Sequence, residues 1–167
     1  MSLIWQHSEH ELEAGCDEAG RGCLAGPVVA AAVILGKNSK ALSQLNDSKK
    51  LSEQKRNYLY DLIKNEALAY GIAFISPAKI DEINILNASF LAMSEAVKKL
   101  NPQPHHLLID GNRFKSELNI PFECMVGGDA KYASIAAASI LAKVERDNYM
   151  AKLHQKFPDY DWLKNKG

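Results

Sequence analysis

The sequence contains few cysteines, and their positions argue against two classes of small stabilised domain. There are three in 167 residues, Cys16, Cys23 and Cys124. No two of them have the C-x-x-C spacing of a zinc or redox site, and an odd number does not indicate a disulfide framework. Reduced thiols of this kind are typical of the cytosol, so we expect a cytoplasmic protein.

Long hydrophobic runs and targeting signals are also missing. No apolar run approaches the roughly 20 residues that a membrane helix needs. Residues 1–11 contain no basic segment followed by an apolar stretch, so they do not predict a signal peptide. The sequence therefore predicts no membrane partner.

The sequence has no excess of charge of either sign. Lys and Arg together number 20, as do Asp and Glu, so the net charge is zero. A nucleic-acid-binding protein usually carries a basic surplus. However, acidic residues gathered around metal ions would cancel lysines and arginines placed elsewhere for phosphates. The distribution of charge therefore matters more than its sum.

The residues that are present indicate a globular α/β protein. Hydrophobic residues make up 47% and charged residues 24%, so we expect residues 1–167 to form one domain with a sizeable core. Hydrophobic patterning predicts strands over residues 12–18, 27–35, 70–75, 106–110 and 122–126. Helices are predicted after the N-cap Ser52, as a short turn at Pro77, over 86–100 and over 133–156. Two early hairpin strands followed by mixed helices and strands favour a mixed sheet.

Three predicted strands end in acidic residues close to glycines, namely Asp17 with Glu18, Asp110 and Asp129. A carboxylate at the end of a buried strand is costly unless it is paired. Taken singly, each of these residues is typical of a turn or a helix cap. If the strands are neighbours, the acids together would suit Mg²⁺ or Mn²⁺, which favour carboxylate oxygen. The residues alone leave both interpretations open.

Four segments of the sequence resemble a known family. They are 15–35 (GCDEAGRGCLAGPVVAAAVIL), 45–52 (LNDSKKLS), 107–112 (LLIDGN) and 127–150 (GGDAKYASIAAASILAKVERDNYM). In this order and spacing they resemble bacterial ribonuclease HII, the type 2 ribonuclease H, from about residue 12 to the end of the chain. The resemblance implies a ribonuclease H-like fold, in which α-helices flank a central mixed β-sheet.

The resemblance also implies an enzyme that hydrolyses the RNA strand of RNA–DNA hybrids. Such an endoribonuclease cuts on the 5′ side of ribonucleotides embedded in duplex DNA and leaves a 3′-hydroxyl and a 5′-phosphate. Asp17, Glu18, Asp110 and Asp129 match the family's catalytic carboxylates, which hold two divalent cations, Mn²⁺ or Mg²⁺. Two such ions can activate a water and stabilise the departing oxygen, and Asp17 is the candidate to bridge them.

Gly20, Arg21 and Gly22 resemble the family's ribose-sensing loop. Contact with the 2′-hydroxyl distinguishes RNA from DNA, and backbone groups at glycines can approach a sugar closely. Arg21 would add a phosphate or sugar contact. Without the acids that precede it, the same segment would be an ordinary hairpin turn with an exposed arginine.

A basic segment precedes the first predicted helix, where backbone N–H groups and the helix dipole favour anions. Its candidate phosphate contacts are Asn46, Ser48, Lys49 and Lys50. Lys55 and Arg56 lie nearby and add positive charge. A solvated basic helix start is the alternative on the residues alone, and the resemblance favours contact with the duplex backbone.

Three polar residues of the last long helix, Ser139, Lys143 and Arg146, fall at helical spacing and are predicted to share a face toward the substrate. Small residues at 136–138 would let this helix pack closely against the sheet. Asp147 lies four residues after Lys143, which predicts an ion pair within the helix.

The expected partner is an RNA–DNA hybrid or a DNA duplex containing ribonucleotides, bound by a monomer. The family usually continues beyond Gly167 with a tyrosine that stacks on a sugar, so we expect a domain truncated at its C-terminus. A catalytically weak hybrid-binding protein of the same fold is therefore the alternative function. A nucleotide-cofactor enzyme is disfavoured because neither G-x-G-x-x-G nor a P-loop is present.

Overall fold

The computed structural model describes residues 3–9, 12–45 and 51–167. Its strands are β1 (Glu13–Ala19), β2 (Val28–Leu35), β3 (Ala67–Ile75), β4 (His106–Asp110) and β5 (Phe122–Met125). They form a five-stranded sheet in the order β3-β2-β1-β4-β5. β1 and β3 are antiparallel to β2, whereas β4 is parallel to both β1 and β5. The predicted α/β fold with a mixed sheet is therefore confirmed.

The described residues form five α-helices, α1 (Glu53–Glu66), α2 (Pro77–Ile83), α3 (Ile85–Lys98), α4 (Ala133–Lys156) and α5 (Trp162–Asn165). Short 3₁₀ turns occupy Gly128–Ala130 and Pro158–Tyr160. Over the part of the chain that is described, none of the helices combines the length and apolar character needed to cross a membrane.

β2 is apolar along its whole length because helices cover both faces of the sheet. Side chains alternate between the two faces of a strand. The even-numbered residues from Val28 to Ile34 therefore join a core with α3, and the odd-numbered residues from Ala31 to Leu35 join a second core with α1 and α4. The continuous run of small and branched apolar residues is thus a consequence of burial on both sides.

The largest difference from the predicted boundaries is at β3, which was predicted over 70–75 and begins at Ala67. α1 ends at Glu66, and the chain enters the strand at the next residue. Residues 67–69, which the prediction omitted, join the strand because the start of β3 pairs with β2, whose last residue, Leu35, lies opposite Ala67. This pairing is a tertiary interaction, so the periodicity of one segment does not reveal it.

α4 approaches the sheet most closely at Gly15 of β1. A Cβ atom at Gly15 would overlap the backbone of Ser134, so glycine is needed for this approach. Residues 136–138 of α4 are fully buried alanines, as the sequence predicted. The close packing brings Ser139 and Lys143 to the carboxyl end of β1.

Candidate active site

Two parallel strands carry acidic residues to the same edge of the sheet. β1 and β4 are neighbours with Cys16 beside Ile109, so Asp17 and Asp110 occupy the next positions. Ligand sites of α/β proteins form at the carboxyl ends of parallel strands. Here the edge opens into a cavity of about 480 Å³, lined by Asp17, Glu18, Ala19, Gly20, Arg56, Asp110, Ser139 and Lys143.

Asp17 is the most buried of the carboxylates that line this cavity, with 6% of its surface exposed. Its Oδ1 accepts a hydrogen bond from the N–H of Glu18 at 2.7 Å, and the hydroxyl of Ser139 donates to the same carboxylate. Burial, followed by the charges of Asp110 and Glu18, nevertheless raises the pKa of Asp17 well above its usual range. The negative charge of Asp17 is therefore poorly compensated in the protein alone.

Glu18 lines the same cavity as Asp17, although successive residues of a strand normally point to opposite faces. β1 ends one residue later, and Gly20 has a φ of +99°, so the chain turns directly after the acidic pair. Burial raises the pKa of Glu18, and Arg21 opposes this rise. The Arg21 Nη1 lies 3.6 Å from Oε1 of Glu18.

Asp110 and Asp129 are linked through the backbone of the 3₁₀ turn. The N–H of Gly128 donates to Oδ1 of Asp110 at 2.7 Å. Asp129 is the next residue and is only 2% exposed, and it is not among the residues that line the cavity. Over the described part of the chain, no three His, Cys, Asp or Glu side chains are already arranged as a metal site. The structure thus brings three of the four predicted carboxylates to one cavity and leaves Asp129 in the adjoining turn.

Arg56 and Lys143, which we call the basic wall, face the cavity from α1 and α4. Lys143 Nζ lies 2.7 Å from Oδ1 of Asp147, which confirms the predicted ion pair within the helix. Arg56 Nη1 lies 3.8 Å from Oδ2 of the same aspartate, while Arg56 Nε is buried without a hydrogen-bond partner. The sequence placed Arg56 only near a possible phosphate patch, because the packing of α1 on α4 is not visible in a linear pattern.

The model of the ribonuclease HII family matches residues 14–167. The chain belongs to the ribonuclease HII family. A ribonuclease HII of Bacteroides fragilis is 60% identical over 167 residues, which cover 100% of this chain and 82% of that protein. A ribonuclease HII of Porphyromonas gingivalis is also 60% identical, over 99% of this chain and 82% of that protein.

Solved structures of ribonucleases H share the fold of this ribonuclease HII family member. The ribonuclease HII of Archaeoglobus fulgidus, solved in a complex with PCNA, has a TM-score of 0.77 and 30% identity, over 87% of this chain and 78% of that chain. Ribonuclease H2 of Pyrococcus horikoshii has a TM-score of 0.75 and 30% identity, over 87% of this chain and 76% of that chain. The predicted family, ribonuclease H-like fold and ribonuclease H activity are confirmed.

The ribose-sensing loop that the resemblance predicts at residues 20–22 begins two residues after Glu18. Gly20 lines the cavity, whereas Arg21 and Gly22 are exposed at the surface. Beside Gly22 there is open space, since no atom lies within 4 Å of the position that a Cβ would take. The loop is therefore accessible to a large ligand, and its contact with ribose stays a prediction.

Arg146 does not share the substrate-facing side of α4 with Ser139 and Lys143, which corrects the prediction from helical spacing. Only 1% of Arg146 is exposed. Its guanidinium donates hydrogen bonds to backbone carbonyls of residues 25, 27 and 166. Arg146 does lie on the predicted helix, but the segments before β2 and after α5 cover α4 at this residue.

The basic segment that precedes α1 was predicted to contact phosphates. Its candidate residues, Asn46, Ser48, Lys49 and Lys50, lie outside the described residues, so their contact with a duplex stays a prediction. The helix start itself is confirmed, because the hydroxyl of Ser52 accepts a hydrogen bond from the N–H of Lys55 at 3.2 Å.

Proposed function

We propose that this ribonuclease H is a metal-dependent endonuclease that hydrolyses the RNA strand of RNA–DNA hybrids. It would cut on the 5′ side of ribonucleotides embedded in duplex DNA and leave a 3′-hydroxyl and a 5′-phosphate. The observation that carries the proposal is the cavity at the ends of β1 and β4, where Asp17, Glu18 and Asp110 lie together. Three acidic groups in one cavity beside basic residues suit the hydrolysis of a phosphodiester.

The acidic residues of the cavity fit divalent cations as ligands. Mn²⁺ and Mg²⁺ favour carboxylate oxygen. Burial and the neighbouring carboxylates raise the pKa of Asp17, so positive charge beside it would stabilise its ionised form. We propose that Asp17, Glu18, Asp110 and Asp129 would hold two such ions. Ions bound there would supply the positive charge that lowers the pKa of a water and stabilises the departing oxygen.

The other groups of the cavity would orient the carboxylates and the substrate. The hydroxyl of Ser139 donates to Asp17, which holds that carboxylate in one orientation. The basic wall, Arg56 and Lys143, lies on the same cavity and supplies the positive charge that attracts a phosphodiester backbone. Residues 20–22 would approach the ribose through their backbone.

We also propose that the protein acts as a monomer in the cytoplasm. Its three cysteines are free, as expected in a reducing compartment. The alternative of a hybrid-binding protein with weak catalysis is not favoured, because the acidic residues of the cavity are retained.

A single substrate tests this function. The protein is incubated with Mn²⁺ or Mg²⁺ and a DNA duplex that contains one ribonucleotide, and the product ends are mapped. We expect one cut on the 5′ side of the ribonucleotide, no cut in an all-DNA duplex and no cut with EDTA. Asp17→Asn should reduce the cleavage rate more than about 100-fold. Loss of a residue that only hydrogen-bonds a metal ligand already reduces activity about 10–100-fold, and Asp17 is proposed as a ligand itself.

The matched control for that substitution is Asp61→Asn, at an exposed position of α1, which should cut at the parent rate. Binding of the duplex without cleavage would favour the hybrid-binding alternative. Cleavage by Asp17→Asn at the parent rate would contradict the metal assignment, and cleavage that EDTA leaves intact would contradict metal dependence altogether.

A further inference from the structure

Arg146 is a buried cation that the proposed chemistry does not use. It lies on α4 with 1% of its surface exposed. Its Nε donates to the carbonyl of Pro27 at 3.0 Å, and its Nη2 donates to that of Ala25 at 2.7 Å. Its Nη1 donates to the carbonyl of Lys166 at 2.7 Å. All three nitrogens of the guanidinium therefore bind backbone carbonyls from two separate segments.

The loop of residues 20–26 is shaped around this side chain. Gly20 has a φ of +99°, and a Cβ there would overlap Nε of Arg146. Gly26 has a φ of +84°, and a Cβ there would overlap Sδ of Met150 and lie 3.3 Å from Nη2 of Arg146. Both ends of the loop thus need glycine, for the backbone conformation and for the space that α4 occupies.

The middle of the loop is exposed at the surface of the protein. Residues 21–24 are exposed, while Gly20 lines the acidic cavity. The N–H of Leu24 donates to the backbone oxygen of Gly167 at 3.0 Å, so the segment after α5 contacts the loop a second time. Arg146 therefore connects α4, the loop and the segment after α5.

We infer that Arg146 is a positioning residue, which holds residues 20–26 in the conformation that recognises ribose. It acts through backbone carbonyls and does not touch the substrate. This inference rests on the proposed function, in which residues 20–22 approach the 2′-hydroxyl. A preorganised loop binds more tightly than one that must be ordered during binding, so Arg146 sets substrate affinity and ribose preference.

The test compares Arg146→Lys and Arg146→Gln with Lys152→Gln, a control at an exposed position of the same helix. In the full chain without substrate, amide hydrogen exchange at residues 21–24 should rise at least about tenfold in Arg146→Gln and less in Arg146→Lys, because lysine keeps a charged donor. Exchange in the strands should stay at the parent level, and Lys152→Gln should match the parent throughout.

Kinetics then separates positioning from a general loss of structure. At saturating Mn²⁺, KM for the duplex with one ribonucleotide should rise about tenfold in Arg146→Gln, with kcat within about twofold of the parent. The inhibition constant of an all-DNA duplex should not change, so the preference for ribose falls by the same factor. Arg146→Lys should retain more of the preference for ribose than Arg146→Gln does.

Gly26→Ala tests the same network from the side of the loop while leaving Arg146 intact. It should increase exchange at residues 21–24 and raise KM in the same way. Unchanged loop exchange in folded Arg146 variants would overturn the inference, as would a fall in kcat and Mn²⁺ affinity at unchanged KM. Unfolding of all three variants would also overturn it, because Arg146 would then be a residue of the core and not of the loop.

The two proposals fail in different ways. If the parent protein does not distinguish the ribonucleotide duplex from DNA, the proposed function fails, while loop exchange still reports on the role of Arg146. If the parent is selective and the Arg146 variants are equally selective, only the inference about Arg146 fails.

Discussion

The hydroxyl of Ser139 donates to the carboxylate of Asp17, which is the central ligand in the proposed metal site. Ser139→Ala should lower the affinity for Mn²⁺ by about 10–100-fold, because groups that orient a metal ligand contribute about that much. The measurement is the cleavage rate as a function of Mn²⁺ concentration.

Ser134→Ala on the same helix is the control for that prediction. The hydroxyl of Ser134 is buried without a hydrogen-bond partner, so its removal should leave the Mn²⁺ dependence unchanged. If Ser139→Ala showed the same Mn²⁺ dependence as Ser134→Ala, Ser139 would have no part in the site.

Lys143 provides half of the basic wall of the cavity. Lys143→Ala should raise KM about tenfold, because a hydrogen bond to a charged group contributes about 1.5–3 kcal/mol. It should also reduce the slope of log affinity against log salt by about one, as expected when one phosphate contact is lost. Binding is measured over a series of salt concentrations.

The control for the basic wall is Lys152→Ala, at an exposed position of α4. It removes the same charge from the same helix and should change neither KM nor the salt slope. A Lys143→Ala protein whose salt slope equals that of the parent would show that Lys143 does not contact a phosphate.

At the level of secondary-structure elements, the site depends on the distance between α4 and β1. Gly15→Ala would place a Cβ against the backbone of Ser134, and the helix must move to accept it. We expect a destabilisation of about 1–3 kcal/mol, and each kcal/mol corresponds to a fall in Tm of about 2–4 °C for a chain of this size. Thermal unfolding measures the change.

Gly36→Ala is the matched control for this packing. A Cβ at Gly36 would meet the side chain of Leu68 at 3.5 Å, an ordinary contact. Its Tm should therefore stay close to that of the parent. Equal Tm values for the two variants would mean that α4 does not depend on glycine at position 15 for its approach to the sheet.

At the scale of the whole molecule, the acidic cavity makes stability depend on pH and on metal. Burial and the neighbouring charges of Asp110 and Glu18 raise the pKa of Asp17 in the folded protein. At pH values between the ordinary pKa of Asp17 in the unfolded chain and its raised pKa in the folded protein, Asp17 is protonated more fully in the folded state than in the unfolded state. The contribution of Asp17 to stability therefore falls as pH rises through that window.

Asp17→Asn should consequently stabilise the metal-free protein at neutral pH, because it removes a charge that burial penalises. The gain in Tm over the parent should shrink as pH falls toward the ordinary pKa of an aspartate, about 3.9. Adding Mn²⁺ should raise the Tm of the parent and have little effect on the variant. Unfolding curves in EDTA and in Mn²⁺ measure these differences, and a parent–variant difference independent of pH would contradict them.

Much of the fold could be predicted because its signals are local. The buried strands, the N-cap Ser52 and the Ala-rich helix all follow from patterns within a few turns of chain. The start of β3 at Ala67 was missed because its first residues are held by pairing with β2, more than 30 positions earlier. Propensity within one segment does not contain such a partner.

The sequence by itself determined the family and the types of residue at the site. The order of its four motifs and the positions of the acidic residues at predicted strand ends can be recognised in the amino-acid sequence without a structure. Their chemistry, carboxylates for hard cations and glycines beside them, likewise follows from residue type alone.

Only the tertiary structure decided which side chains share the cavity. Arg56 of α1 lies on the same cavity as the carboxylates. Arg146 instead donates to a backbone carbonyl at the end of the loop, and Asp129 lies in the adjoining 3₁₀ turn. The direction of a side chain depends on which elements pack around it, and these elements are distant in the chain. Helical spacing therefore located Arg146 on α4 correctly, but only the segments that cover α4 determined what it binds.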